Sequence, residues 1–288
     1  MKKAAVLVLL LAVAAFALPA AAEERVMKVA LGSMMSPQGT FKEYRSMVDY
    51  LGRKLGVKAE LVQRESYAKT NQLLKESKVD LAFICSGPYV RAKKEFGVEL
   101  LAVPVPSKTK YRSLIIVKKD APFKTLKDLK GKTFAYTDPD SNTGCTVPMY
   151  MLAKLGEDPD SFFGKVVFTR SHDNSVEAVN KGLVDGAAVD SLIFTYMAAK
   201  GYPEAAGIKV IDESEAFGVP PVVVPRGIDP KLKAAARKAL LGMNRDPEGK
   251  KILDGLMIEK FVVPSDSDYD GVRRVNDYLR KHRKVDIK

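Results

Sequence analysis

The sequence predicts an α/β fold made of two lobes, each a sheet flanked by helices. Three observations predict it. Short apolar runs alternate with segments whose apolar residues recur every three or four positions, the marks of strands and amphipathic helices. A βαβ order favours parallel strands joined by helical crossovers. Setting aside an N-terminal stretch of 22 residues leaves 266 of the 288, more than one ordinary domain at roughly 100–200 residues each.

Val26 to Leu31 is rich in β-formers and meets Gly32-Ser33. Phe41, Tyr44, Met47, Val48, Leu51 and Leu55 then mark the apolar face of a helix closed by Gly56. Glu60 to Val62 is a second strand, and Tyr67 to Lys75 a short helix with Leu73 and Leu74 inward. Leu81 to Cys85 is a buried strand. Ser86-Gly87-Pro88 turns into a helix through Lys94, and Glu99 to Val105 is strand-like. This run predicts a mostly parallel sheet with helices on both faces.

A second unit opens near Tyr111. Ser113–Val117 and Phe134–Thr137 are strands around a helical turn at Leu126–Leu129, and a helix runs from about Thr143 to Leu155. Val166–Thr169 is a strand, Val176 and Val179 mark the apolar face of a helix closed by Gly182, and Ala187–Val189 is a strand before a helix over Leu192–Lys200. Ile208–Ile211 and Val222–Val224 follow as strands, the latter leading into three helices. The natural division is discontinuous: residues 23–108 with 214–288 form one lobe, and 109–213 the other. Two connecting strands, near Val103–Val105 and Asp212–Phe217, make the hinge. Ligands of open α/β sheets sit outside the carboxyl ends of the strands, so two facing lobes enclose one cleft.

The N-terminus sets the compartment. Lys2 and Lys3, an apolar run from Ala4 to Leu18, and Ala20-Ala21-Ala22 form the three parts of a secretory signal peptide over residues 1–22. No Cys follows to carry a lipid anchor. Apolar residues make up 46% of the chain, enough for true cores and too many for a disordered protein. Removing Lys2 and Lys3 lowers the net charge from +12 to +10. The cations are interleaved with acids, as in Lys124–Lys132, and export argues against nucleic acid as partner. Two Cys, Cys85 and Cys145, do not make a disulfide scaffold. Neither they nor the two His, His172 and His282, have metal-ligand spacing, so no metal or cofactor is expected.

The most informative segment is Asp138-Pro139-Asp140-Ser141-Asn142-Thr143-Gly144. It follows a strand and opens a helix, so backbone N–H groups and the positive helix end face the cleft. Ser141, Asn142 and Thr143 add polar side chains, and Gly144 allows close approach, as in a general oxyanion site. The same residues would also serve as an ordinary N-cap.

The stretch from Asp138 to Pro148, DPDSNTGCTVP, resembles the DPxSTSGxxxP signature of the periplasmic phosphonate- and phosphite-binding proteins of ABC importers. The similarity continues through Ser171-His172-Asp173-Asn174-Ser175, Ala178-Val179, Gly182, Val184-Asp185 and Ala187-Ala188-Val189-Asp190. Upstream it takes in Tyr67, Val79-Asp80-Leu81-Ala82, Gly87-Pro88 and Tyr111. The resemblance implies a type II periplasmic-binding-protein fold, two discontinuous α/β lobes on two hinge strands. It also implies a monomeric protein that captures a small phosphorus oxyanion for an inner-membrane ABC permease.

Individual roles follow from the same resemblance. Ser141, Asn142, Thr143 and Gly144 would hold the phosphorus oxygens, with His172 donating to the same group. Tyr67 and Tyr111 would close the cleft from two sides, Ser86 lies in the turn beside Gly87, and Asp190 would accept from a protonated ligand oxygen. Aminoalkylphosphonate binders of the family place carboxylates around the ammonium. Here the position two beyond Asp190 is Leu192, and Gly218-Val219-Pro220-Pro221 carries no acid, which points to a ligand without an amine: phosphite, phosphate or a short alkylphosphonate. Met34 and Met35, after the first strand, could supply an apolar wall, though core packing is the commoner use of Met. Two other readings stand beside this one. A clamp of this kind also serves as the sensing module of a membrane kinase or receptor, and Cys145 with His172 resembles a nucleophile–base pair.

Overall fold

The computed structural model describes residues 25–282, and the side chains of residues 37–43 are outside that description. The expected signal peptide over residues 1–22 and the side chain of Phe41 therefore lie outside the described residues.

The chain opens with β1 (Val26–Leu31), α1 (Pro37–Leu55), β2 (Lys58–Gln63), α2 (Tyr67–Lys75), β3 (Leu81–Phe83), α3 (Ser86–Phe96) and β4 (Glu99–Pro106). It continues with β5 (Ser113–Lys118), β6 (Thr133–Tyr136), α4 (Val147–Lys154), β7 (Lys165–Phe168), α5 (His172–Asn180) and β8 (Gly186–Asp190). Then come α6 (Ser191–Ala199), α7 (Pro203–Ala206), β9 (Ile208–Glu213) and β10 (Val222–Val224). The last elements are α8 (Pro230–Gly242), α9 (Pro247–Gly255), β11 (Ile258–Val262) and α10 (Asp270–His282). Local chemistry sets many of the ends. Ser66 caps α2 by accepting from the Lys69 N–H, Ser171 caps α5 by accepting from the Asn174 N–H, and α3 stops at Gly97 in the left-handed region.

The strands form two sheets, ordered β11-β4-β10-β3-β1-β2 and β7-β6-β8-β5-β9. This is the expected two-sheet α/β architecture, but neither sheet is mostly parallel. β1 pairs in parallel with β2 and β3, whereas β10 lies antiparallel between β3 and β4. In the second sheet β6 pairs in parallel with β7 and β8, and β5 runs antiparallel to β8 and β9. The reversed strands β5 and β10 are the first that the chain enters after crossing from the other sheet. A strand entering at the edge where its neighbours end must run against them.

Two further departures are local. The region after β10 holds β11 as well as helices, because Ile258–Val262 pairs with β4 across a register shift. The helix expected from Thr143 starts as a wide π-type turn over Asn142–Thr146 before α4.

Each sheet is covered on both faces. Met27, Leu51, Leu81, Leu101 and Leu240 are buried on one face of the first sheet, with Leu74, Ile84, Tyr89 and Val223 on the other. The second sheet buries Ile115, Phe134 and Leu152 on one face and Ile116, Val176 and Val189 on the other. Helix α10 falls in the expected range 214–288, yet its Val272, Val275 and Leu279 complete the core of the second sheet. Tyr278 meets Tyr150 of α4 edge to face with centroids 5.1 Å apart.

Candidate functional site

The turn after β6 is built by its own polar side chains. Asp138 Oδ1 accepts from the Asp140 N–H at 2.9 Å, and Ser141 Oγ accepts from the Gly144 N–H at 3.0 Å. The Thr146 N–H donates to the Ser141 carbonyl at 3.0 Å, which widens the first helical turn. Such π-type turns often mark functional sites. Gly144 is required here by packing: a Cβ would stand 2.3 Å from Thr137 Oγ1. Ser113 Oγ donates to the Thr143 carbonyl at 2.6 Å and ties the turn to β5. Ser141, Asn142, Thr143 and Gly144 are all buried.

His172 opens α5 beside this turn. Its Nδ1 accepts from the Asp190 N–H at 3.0 Å and lies 3.1 Å from Thr137 Oγ1. The Nδ1 lone pair is thus used, and the imidazole proton sits on Nε2. Burial depresses the pKa of His172 to about 3, so the ring is neutral. Asp190 ends β8 and caps α6, its Oδ1 accepting from the Leu192 N–H at 2.6 Å. Burial raises its pKa to about 7.

The first sheet's elements supply the facing wall. Tyr67 opens α2, and its N–H donates to Asp138 Oδ2 across the interface at 3.3 Å. Tyr111 Oη lies 3.3 Å from both Cys85 Sγ and Thr143 Oγ1, and accepts from Ser86 Oγ at 3.4 Å. Burial, ahead of the neighbouring Cys85 and acidic groups, pushes both phenols well above their ordinary range. Further bonds join the two halves at the rim: the His172 N–H donates to the Met34 carbonyl at 3.0 Å, and the Ser36 N–H to Asp173 Oδ1 at 2.9 Å. Outside them Arg91 pairs with Asp140.

Three side chains here hold buried polar atoms without a hydrogen-bond partner among the described residues: Tyr67 Oη, Asn142 Nδ2 and Oδ1, and His172 Nε2. Buried polar groups are nearly always paired, since each orphan costs about 1–3 kcal/mol. Tyr67 and His172 present neutral donors there and Asn142 an amide. An oxyanion met by such preorganised dipoles needs no fixed cation.

All nine residues expected from the sequence thus stand in or against one buried cluster. Tyr111, Thr143 and Ser86 are joined directly, His172 and Asp190 directly, and Tyr67 through Asp138 to the turn. Thr137, Asp138, Ser113 and Cys85 were not singled out for this site. Asp138 was inside the recognised motif, but its acceptance of the Tyr67 N–H depends on a contact 71 residues away in sequence. Cys145 packs in the core of the second sheet. Both cysteines are free and buried. Among the described residues no cluster of three His, Cys, Asp or Glu could hold a metal, and no helix is long and apolar enough to cross a membrane.

A family model described as "ABC transporter, phosphonate, periplasmic substrate-binding protein" matches residues 29–269. The chain belongs to this family. Its relatives in the phosphonate-binding family include the phosphonates-binding periplasmic protein of Escherichia coli, 26% identical over 89% of this chain and 78% of that one. The phosphate-import protein PhnD of Mycolicibacterium smegmatis is 29% identical, covering 81% of this chain and 79% of its own length. Among solved structures, the binding component of a Pseudomonas aeruginosa ABC phosphonate transporter superposes with a TM-score of 0.85 at 24% identity, over 90% of this chain and 88% of that one. PhnD1 of Prochlorococcus marinus, solved with methylphosphonate, superposes at 0.82 with 18% identity, over 90% of this chain and all of its own. At these identities the superpositions show the type II periplasmic-binding-protein fold.

Beside the polar cluster, this member of the phosphonate-binding family has an apolar cleft of about 90 Å³ between the two halves. Met34 belongs to both regions, since it packs against Tyr67 and Cys85 and also lines the cleft. Asp190 is likewise shared. Leu192, Val219 and Pro220 are cleft walls, so three of the five positions noted for lacking an acid face this space, whereas Gly218 and Pro221 do not line it.

Proposed function

We propose that this protein is the exported solute receptor of an ABC importer and closes two lobes around a small, amine-free phosphorus oxyanion. The lobes are residues 23–108 with 214–288, and 109–213. β4 with its continuation, and the segment after β9, act as the hinge, and α10 reaches from the first lobe onto the second. The protein works as a monomer that delivers its ligand to a membrane permease and carries out no catalysis.

One observation carries the reading: the unpartnered atoms of Tyr67, Asn142 and His172 belong to both sides of the interface and are buried together with Ser141, Thr143 and Tyr111. The ligand oxygens accept from His172 Nε2–H, Tyr67 Oη–H, the Asn142 amide and the hydroxyl of Thr143, with Gly144 letting the backbone approach. Ser86 orients Tyr111. Asp190 reads the protonation of the ligand. When ionised it accepts from a ligand P–OH, and when protonated it donates to a fully ionised oxygen.

The ligand's lack of an amine follows from the walls. An ammonium would meet Asp190 alone among the acids of the described cleft lining, and a buried cation without adequate partners carries a severe desolvation penalty. Calorimetry on ligand-stripped protein with phosphite, phosphate, methylphosphonate and 2-aminoethylphosphonate tests this. One-to-one binding of an amine-free oxyanion, with 2-aminoethylphosphonate weaker, is expected. Failure of all four to bind would remove the substrate class, and tightest binding of 2-aminoethylphosphonate would overturn the amine-free reading.

A further inference from the structure

We infer that the cleft beside Asp190 is a binding site for an apolar substituent on the phosphorus, so that the preferred ligands are phosphonates with a chain of several carbons or a small ring. This rests on the oxyanion reading and names the ligand class within it. The geometry is continuous: Asp190 lines the cleft while its own backbone N–H holds His172, and Met34 lines the cleft while packing on Tyr67. A phosphorus atom held by the polar cluster therefore directs its fourth substituent into a space bounded by Met34 and Met35, Phe83, Leu192, Ile193 and Pro220.

The chemistry of those walls selects the substituent. They are mostly apolar, with thioethers, branched aliphatics, prolines and the ring of Phe83, and the hydroxyl-bearing residues among them are Tyr44, Tyr196, Thr109 and Thr195. The charged groups in the described lining are Asp190 at the polar end and the exposed Lys108. An ammonium on the substituent would lose its water and meet one carboxyl, that of Asp190. A hydrocarbon chain would lose water at a gain. The walls also come from both sides, Phe83 and Pro220 from the elements of the first sheet, Leu192 and Ile193 from α6. Closure would then bury the substituent on all sides, which a bare phosphite cannot exploit. A volume of about 90 Å³ limits the chain to a few carbons.

Titration calorimetry of the full mature chain with phosphite and with methyl-, ethyl-, propyl-, butyl- and phenylphosphonate tests this. Affinity should rise roughly three- to fourfold for each methylene, the value of burying one CH2, until the cleft is full. The heat-capacity change should become more negative at each step, the mark of apolar burial. In L192N the ratio of propyl- to methylphosphonate affinity should fall toward one. In L192W, which fills the cleft, the ratio should invert. If phosphite and methylphosphonate bind and every added carbon weakens binding, the cleft is not a substituent site, while the oxyanion reading stands. If none of the series binds, both readings fall together.

Discussion

His172 and Asp190 are joined by one hydrogen bond, from the Asp190 N–H to His172 Nδ1 at 3.0 Å. The same strand end thereby sets which ring nitrogen carries a proton and places a carboxyl beside it. Both side chains are buried, and burial acts on them in opposite directions. The ring is kept neutral, and the carboxyl is kept protonated up to near neutral pH.

Opposed shifts give opposed pH dependences. The pKa of His172 falls from 6.5 to about 3 on folding. Its neutral form therefore stabilises the protein above about 6.5, and that contribution is lost as pH falls toward 3. The pKa of Asp190 rises from 3.8 to about 7. Its contribution is full below 3.8 and is lost as pH rises through 7. Between these limits each group has a slope of about 1.4 kcal/mol per pH unit, with opposite signs. Tyr67, Tyr111 and Cys85 face the pair with raised pKa values and stay neutral there. Melting in phosphate-free buffer from pH 4 to 6.5 should show that D190N loses stability as pH falls, while H172N loses it as pH rises. Parallel curves for both variants would refute the opposed pair.

The anion turn should separate affinity from stability. If Thr143 donates to the oxyanion as proposed, Thr143→Ala should lose a hydrogen bond to a charged group, worth roughly 1.5–3 kcal/mol, or about tenfold to a hundredfold in affinity. Asn142→Ala should weaken binding as strongly without lowering the melting temperature of the ligand-free protein, because neither amide atom has a partner to lose. Calorimetry and thermal melts read the two effects. A fold-destabilised N142A with normal affinity would assign Asn142 to structure.

Gly87 is a probe of closure. It belongs to α3, and a Cβ there would stand 2.6 Å from the Asp140 carbonyl and 3.2 Å from the Asn142 N across the interface. Its own helix tolerates alanine, so Gly87→Ala should fold, stay expanded in small-angle scattering when ligand is added, and bind at least tenfold more weakly. Normal compaction in G87A would mean that the lobes close without this contact.

Gly144→Ala should behave differently. Its Cβ would strike Thr137 Oγ1 at 2.3 Å and Ser141 Oγ at 2.9 Å within one half of the molecule. Thr137 also touches His172, so both the melting temperature and affinity should drop. Retention of either would show that the turn yields more than its packing suggests.

The sequence by itself determined what is local. Tyr67 to Lys75 is legible as a helix because its apolar residues, Leu73 and Leu74 among them, lie within a few positions, and α2 has those bounds. The 138–144 turn is legible for the same reason, its side chains bonding to their own backbone. The order of strands and helices follows from periodicity, and order plus motif sufficed for the family. The tertiary structure decided the partnerships. β10 slips antiparallel between β3 and β4, β11 adds a strand after them, and α10 gives Val275 and Leu279 to the second core. Periodicity says which face of an element is apolar but not which surface will cover it. The tautomer of His172 and the protonation of Asp190 were also beyond the sequence, because the first depends on a bond between residues 18 positions apart and the second on burial.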